Sequence, residues 1–222
     1  MDERQRAQVL AGCGLFSGLP PASLQQLAAQ SVVRNCRRGQ ILFAEGDPGD
    51  SLLVVVSGSL KAYTTSEQGD EFLLAVVGPG EVLGELAIAD GGVRSATVAA
   101  LGTAEVVRVP RKAVLDCARS EPALTDALLV TLASVIRRLD GHAADLAFLD
   151  LPRRVGKLLL GQHASPQNVP PLTQTEMAAR VGASRQSVNA ALQEFQRRGW
   201  VRVAAREISM RDPAALARFV GS

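Results

Sequence analysis

The chain has 222 residues, 47% hydrophobic and 21% charged, enough for two ordinary domains with real cores and unlike a disordered chain. Its net charge of +2 hides an asymmetry: residues 1–150 hold 13 Lys/Arg against 18 Asp/Glu, and residues 151–222 hold 11 against 4. An acidic body with a basic tail favours a polyanionic partner for the C-terminal part. Cys13, Cys36 and Cys117 lie far apart, without the spacing of a zinc or iron–sulfur site and without a disulfide framework. No apolar signal segment follows Met1, and no 18-residue uncharged run could span a bilayer. A soluble cytoplasmic protein without membrane attachment is the expectation.

Residues 8–30 read as short helices broken at Gly18-Leu19-Pro20-Pro21, with a helix over Ser23–Gln30. From residue 31 to 110 the pattern changes to short β-rich runs: Gln40–Phe43, Leu52–Val56, Leu60–Thr64, Phe72–Val77, Ala96–Ala100 and Ala104–Val109. Glycine-rich turn signals, such as Gly46-Asp47-Pro48-Gly49-Asp50 and Gly78-Pro79-Gly80, separate them, which predicts a small antiparallel barrel or sandwich. A helix without internal proline follows over Glu121–Leu149. Its apolar positions Leu128, Leu132, Val135, Leu139, Leu146 and Leu149 recur every three or four residues, with His142 in the one gap. That spacing suits a coiled-coil seam between two copies, although a single core helix would look similar.

After Asp150-Leu151-Pro152 the sequence predicts a helix over Arg153–Gln162 and a Pro-rich break at Ser165–Pro171. Two closely spaced helices come next. Thr173-x-x-Glu176 is a capping box, Gly182 suits the left-handed position after the first helix, and Ser184 caps the second, which ends at Gly199. Leu172, Met177, Ala178, Val181, Val188, Leu192 and Phe195 supply the inward faces. A helix-turn-helix is predicted, with Trp200–Val203 and Glu207–Met210 as a β wing.

Three stretches now carry a resemblance: Gly84-Glu85-Leu86-Ala87 followed by Arg94-Ser95-Ala96, then Phe43-Ala-Glu-Gly46-Asp-x-Gly-Asp50, and Leu146-Ala-Phe-Leu-Asp150. In this order they resemble the cyclic-nucleotide-binding transcription regulators of the catabolite activator (cAMP receptor) protein family, over nearly the whole chain. The resemblance implies an α+β fold with three parts. Residues 1–120 would form an N-terminal antiparallel β-roll (a jelly-roll-like barrel) with flanking helices. Residues 121–150 would form the dimerisation helix and residues 151–222 the winged helix-turn-helix.

In that reading Arg94 offers a planar guanidinium to a cyclic phosphodiester, Ser95 a hydroxyl, and the amides near Leu86 and Ala87 a cradle. Glu85 accepts a hydrogen bond from the ribose 2′-OH, and Gly84 lets the backbone approach closely. From spacing alone, Glu85 and Arg94 could equally be a surface ion pair. The family's base-reading positions fall on Leu139, which cannot hydrogen-bond, and Asp140, which could accept from adenine N6 or from guanine N1–H and N2–H₂. The ligand implied is cyclic AMP, with cyclic GMP open.

On the second helix of the helix-turn-helix, Arg185 matches the family's guanine-reading arginine. Gln186 and Ala190 stand where relatives commonly have an acid and a base, and Asn189 is a replacement contact. Thr173, Gln174, Ser184 and Ser187 are expected at phosphates. Partners implied are palindromic double-stranded DNA, a second copy of the chain, and RNA polymerase. Two histidines without a nucleophile motif, no Walker A sequence, and Gly78-Pro-Gly80-x-x-x-Gly84 one residue too long for a dinucleotide fingerprint argue against an enzyme. Neither metal nor haem is expected. A nucleotide-independent DNA-binding or architectural protein, or a member responsive to cyclic GMP or cyclic di-GMP, stays open beside the cyclic-AMP-controlled regulator.

Overall fold

Two apolar runs, Leu52–Val55 and Val106–Val107, are too continuous for strands with one wet face, and the structure buries both faces. The structure is a computed structural model that describes residues 1–164, 170–204 and 207–221. Contacts divide it into two units, residues 1–64 with 74–137 and residues 65–73 with 138–222.

The N-terminal elements are helices α1 (Glu3–Ala11) and α2 (Pro21–Gln30), then strands β1 (Val32–Cys36), β2 (Ile41–Phe43), β3 (Ser51–Ser57) and β4 (Leu60–Thr65). There follow β5 (Glu71–Val77), β6 (Val82–Leu83), the short helix α3 (Glu85–Asp90), β7 (Thr97–Ala100) and β8 (Ala104–Pro110). The strands form two four-stranded sheets, ordered β1-β8-β3-β6 and β2-β7-β4-β5, antiparallel as expected for a β-roll. Leu53, Val55 and Val106 face the second sheet and meet Leu60, Ala62, Ala75 and Val98. Leu52, Val54, Val107 and Val109 face the other way, onto Leu10, Leu27 and Leu124 from the helices and Phe16 from the turn between α1 and α2. One central sheet therefore serves two cores.

Helices α4 (Arg111–Ser120) and α5 (Pro122–Phe148) follow β8. The sequence placed one helix from Glu121 and left α4 unread. Pro122 explains the break: it disfavours helical geometry at Glu121, which is extended at φ −122°, ψ 91°. Along α5, Leu128 is buried in its own unit's core and Leu132 packs against that core. Leu139 and Leu146 of the expected seam are exposed, and Leu129 and Ile136, each one residue beyond an expected position, are 60% and 58% exposed. Together with Leu132 and Ala143 these residues give alternating spacings of three and four. His142 lies against Phe72 of its own chain, with ring centroids 6.4 Å apart in an edge-on contact.

The C-terminal elements are α6 (Leu151–Ala164), α7 (Gln174–Val181), α8 (Arg185–Arg197), β9 (Val201–Ala204), β10 (Glu207–Met210) and α9 (Pro213–Gly221). Most of the expected break, residues 165–169, lies outside the described residues. Val155, Leu159, Met177, Val181, Val188, Leu192, Phe195 and Leu216 form one core. α9 was not foreseen; it packs on α6 where Gly156 leaves room, since a Cβ there would come within 2.8 Å of Val220 and 3.2 Å of Leu216. The expected wing is present as the antiparallel pair β9–β10, with Val201 opposite Met210. α1 was also missed as a defined element, although Asp2 and Gln5 form a capping box at its start.

Candidate functional site

Arg94 lies in the loop between α3 and β7, and its backbone is held on both sides by the Gly46–Asp50 loop. Its N–H donates to Asp47 O (2.8 Å) and its carbonyl accepts from Gly46 N–H (2.9 Å). The side chain points inward and is only 3% exposed. Nη2 donates to Ser51 Oγ at 3.0 Å and lies 3.5 Å from Asp50 Oδ1, and the guanidinium stacks 4.0 Å over the Phe43 ring. Nε and Nη1 are buried without a hydrogen-bond partner among the described residues.

Burial lowers the Arg94 pKa from the usual arginine value, Asp50 opposes that shift, and Arg108 adds to it. Arg108 donates to the same Ser51 Oγ (3.0 Å) and to Asp50 Oδ2 (2.5 Å), and Ser51 in turn donates to Asp50 Oδ1 (2.9 Å). Burial pushes the Asp50 carboxyl up, but hydrogen bonds from Ser51 and Arg108 and the charges of Arg108 and Arg94 outweigh it and hold the group below its ordinary value. Two cations and one carboxylate thus share a single buried hydroxyl. The set holds Arg94 in place while leaving two of its three nitrogens open.

Around those nitrogens, Gly84 has φ +94°, and a Cβ there would fall on Arg94 Nη1 and within 3.0 Å of Ser51 O. Glycine is required on both counts. Glu85 is 7% exposed, and its charge favours the protonated Arg94. The pair is buried, which does not fit a surface ion pair. Leu86 and Ala87 lie in the first turn of α3, where helical N–H groups have no intrahelical acceptor. Ser95, next in the chain to Arg94, is exposed. Gly84, Glu85, Leu86, Ala87, Arg94 and Ser95 therefore gather in the first unit. Asp140 lies exposed on the part of α5 that belongs to the second.

In the second unit, Thr173 accepts from Glu176 N–H (3.3 Å) while the Glu176 carboxylate accepts from Thr173 N–H (2.6 Å), the reciprocal capping box. Gly182 takes φ +64°. Ser184 accepts from Ser187 N–H at 3.1 Å, and the two hydroxyls lie 2.9 Å apart. The hydroxyls of Thr173, Ser184 and Ser187 are thus already engaged in caps, while Gln174 is half-buried. With Val188, Leu192 and Phe195 turned inward, Arg185, Gln186, Asn189, Ala190 and Gln193 form one exposed face of α8.

Two family matches cover these regions: the cyclic nucleotide-binding domain over residues 33–121 and the Crp-like helix-turn-helix domain over residues 153–219. A CRP-like cAMP-activated global transcriptional regulator from Mycobacterium tuberculosis is 36% identical over 219 residues, covering 95% of this chain and 98% of that protein. The chain belongs to the Crp-like family of transcription regulators. Another member, the cyclic AMP receptor protein of Thermus thermophilus, is 32% identical over 93% of this chain and 96% of its own length. The solved catabolite activator protein of that organism is 30% identical with a TM-score of 0.55, covering 94% of this chain and 98% of its own. The fold is also that of FixK2 from Bradyrhizobium japonicum, at TM-score 0.76 and 20% identity over 85% of this chain and 96% of that one. The Crp-like chain is thus a DNA-binding regulator with a cyclic nucleotide-binding domain, not an enzyme. Among the described residues no helix is long and apolar enough to cross a membrane.

Sequence reading missed Ser51 and Arg108. The one available signal was a lone cation in the apolar strand Val106-Val107-Arg108-Val109. Arg180 was missed as well. From α7 its Nη1 donates to Leu73 O (3.0 Å) and lies 3.4 Å from His142 Nδ1. Burial first, then the Arg180 charge, lowers the His142 pKa from 6.5 to about 4. A ring held neutral in the folded chain contributes stability that is complete above its unfolded pKa and lost as pH falls toward the folded one. Chemical unfolding at about pH 7 and about pH 5 should therefore show a smaller loss of stability in His142→Gln than in the wild type. Equal losses would contradict the assignment.

Proposed function

We propose that this chain is a homodimeric transcription regulator whose DNA binding is controlled by cyclic AMP in the β-roll. The observation that carries the reading is the buried Arg94 guanidinium with open Nε and Nη1. Leaving charged donors unsatisfied in the interior costs about 1–3 kcal/mol or more, and an anion removes that cost. A cyclic phosphodiester supplies one negative charge and oxygens for Arg94, Ser95 and the Leu86 and Ala87 amides. Glu85 receives the ribose 2′-OH, Gly84 keeps the approach clear, and Asp140 reads the base. The names of the Mycobacterium and Thermus relatives favour cyclic AMP over cyclic GMP. Residues 1–120, 121–150 and 151–222 are the nucleotide-binding, dimerising and DNA-binding parts of this cytoplasmic regulator.

Calorimetric titration with cyclic AMP, cyclic GMP and cyclic di-GMP tests the ligand. Cyclic AMP is expected to bind tightest, and Arg94→Leu to weaken it by about 3–5 kcal/mol, more than a hundredfold. An unchanged dissociation constant in that variant would remove Arg94 from the site. The cyclic di-GMP arm matters because a fold neighbour from Xanthomonas campestris, 21% identical, is described as responsive to that ligand.

The stripe Leu129, Ile136, Leu139, Ala143 and Leu146, with half-buried Leu132 beside it, is the surface for the second copy, arranged as a two-fold seam. Leu139→Glu sets like charges against each other across it, and sedimentation should find that variant monomeric at concentrations where the wild type is a dimer. A monomeric wild type would refute the seam.

A two-fold dimer presents two α8 helices to half-sites roughly one DNA turn apart. Arg185 reads a guanine through its fork, with Gln186 and Asn189 beside it. Thr173, Gln174, Ser184 and Ser187 fix register at the backbone, the capped hydroxyls acting alongside the first-turn amides of their helices. Selection from a random DNA library should yield a palindrome. Arg185→Ala should cost about 1–3 kcal/mol and relax preference at one base pair per half-site. A consensus that ignores Arg185→Ala would show that α8 reads the groove differently.

A further inference from the structure

We propose that Arg111 is a positioning residue that locks α3 to α4, so that an anion bound at Arg94 is felt by the helix leading into α5. The proposal rests on the ligand reading above. Arg111 is the first residue of α4, directly after Pro110 ends β8. Its backbone N–H donates to Asp50 O at 2.8 Å, the residue whose carboxylate lies beside Arg94 and Arg108. Its side chain reaches the other end of the binding segment: Nε donates to both Ala87 O and Ile88 O, each at 3.1 Å.

Those carbonyls belong to the C-terminal part of a six-residue helix, where Ala87 O also accepts from the Gly91 cap N–H and a cation is favoured. Gly91 closes the helix at φ +74°, and a Cβ there would come within 3.0 Å of Arg111 Nη2. The chain thus passes α3 directly over this guanidinium. Arg111 Nε gives these hydrogen bonds to main-chain carbonyls rather than to a carboxylate. That is the arrangement of a clamp on a backbone segment.

The rest of α3 is held at its opposite end and below. Gly84 abuts Arg94 and Ser51, Ile88 is fully buried in the core that also receives Val114 of α4, and Gly49 leaves the space that Ala87 occupies. Any displacement of α3 toward an anion must therefore pull on Arg111 at the root of α4. Only Glu121 separates α4 from α5.

The test uses the full-length protein with Arg111→Met, which keeps the aliphatic stem and removes the donors, and Arg111→Lys, which keeps the charge. Three quantities are read: amide exchange in residues 84–92, the cyclic AMP dissociation constant, and the factor by which saturating cyclic AMP tightens binding to a duplex selected by the wild type. Arg111→Met should speed exchange in residues 84–92 selectively, weaken cyclic AMP binding several-fold and lower the coupling factor by about fivefold or more. DNA affinity without nucleotide should stay at the wild-type value. Arg111→Lys should recover part of the coupling.

Wild-type coupling and wild-type exchange in Arg111→Met would overturn the inference. So would exchange raised evenly across the chain with loss of nucleotide-free DNA binding, since that reports general destabilisation. If the wild type shows no response to cyclic AMP, the ligand reading fails, whereas a full response retained by Arg111→Met overturns the positioning role alone.

Discussion

A guanidinium almost sealed inside a β-roll is the constraint around which the first unit is arranged. Arg94 cannot shed its charge, and its burial has to be balanced by neighbours. It contacts one aromatic face, one hydroxyl and one carboxylate that is itself shared with Arg108, and the charges of Asp47 and Glu85 also favour it. They satisfy one nitrogen and leave two open. Glycine at position 84 preserves the opening, and the Gly46–Asp50 loop pins the backbone that carries the side chain. The local energy is thus poor without an anion and good with one, which is what a ligand-responsive site needs.

The second unit solves a different problem. Its second helix-turn-helix helix, α8, presents Arg185, Gln186, Asn189, Ala190 and Gln193 to solvent on one face. Rigidity comes from below, through Val188, Leu192 and Phe195 in the shared core, and from the Ser184 cap at the end nearest Arg185. The rings of Phe195, Trp200 and Phe219 pack within 5.3–5.8 Å of one another and tie α8, the wing and α9 together. The acidic and basic halves of the chain follow from these roles: phosphates of DNA need net positive charge only where the protein meets them.

Much of this was legible in the sequence because the signals are local. Thr173-x-x-Glu176, Gly182 and Ser184 mark helix ends through contacts three or four residues away, so the helix-turn-helix could be bounded closely. Glycine turns located six of the eight N-terminal strands for the same reason, while β1 and the two-residue β6 went unread. What was not legible depends on contacts between distant segments. Ser51 meets Arg94 and Arg108 from 43 and 57 residues away, and Arg111 finds α3 from more than 20 residues away. Nothing at those positions marks them until the sheet is assembled. On α5 the expected apolar positions divide: Leu139 and Leu146 are exposed, while Leu128 is buried. Leucines at 128 and 129 both fit a heptad, and only packing into the first unit's core decides which faces out. Helix α3 escaped notice because six residues are too few to show a period.

Control of this regulator turns on what occupies the space beside Arg94. The most direct measurement is an experimental structure of the full-length protein with cyclic AMP bound. The account predicts a phosphate oxygen within hydrogen-bond distance of Arg94 Nε or Nη1, with Ser51 still holding Nη2. An ordered nucleotide bound elsewhere, with Nε and Nη1 satisfied by protein or solvent, would contradict it.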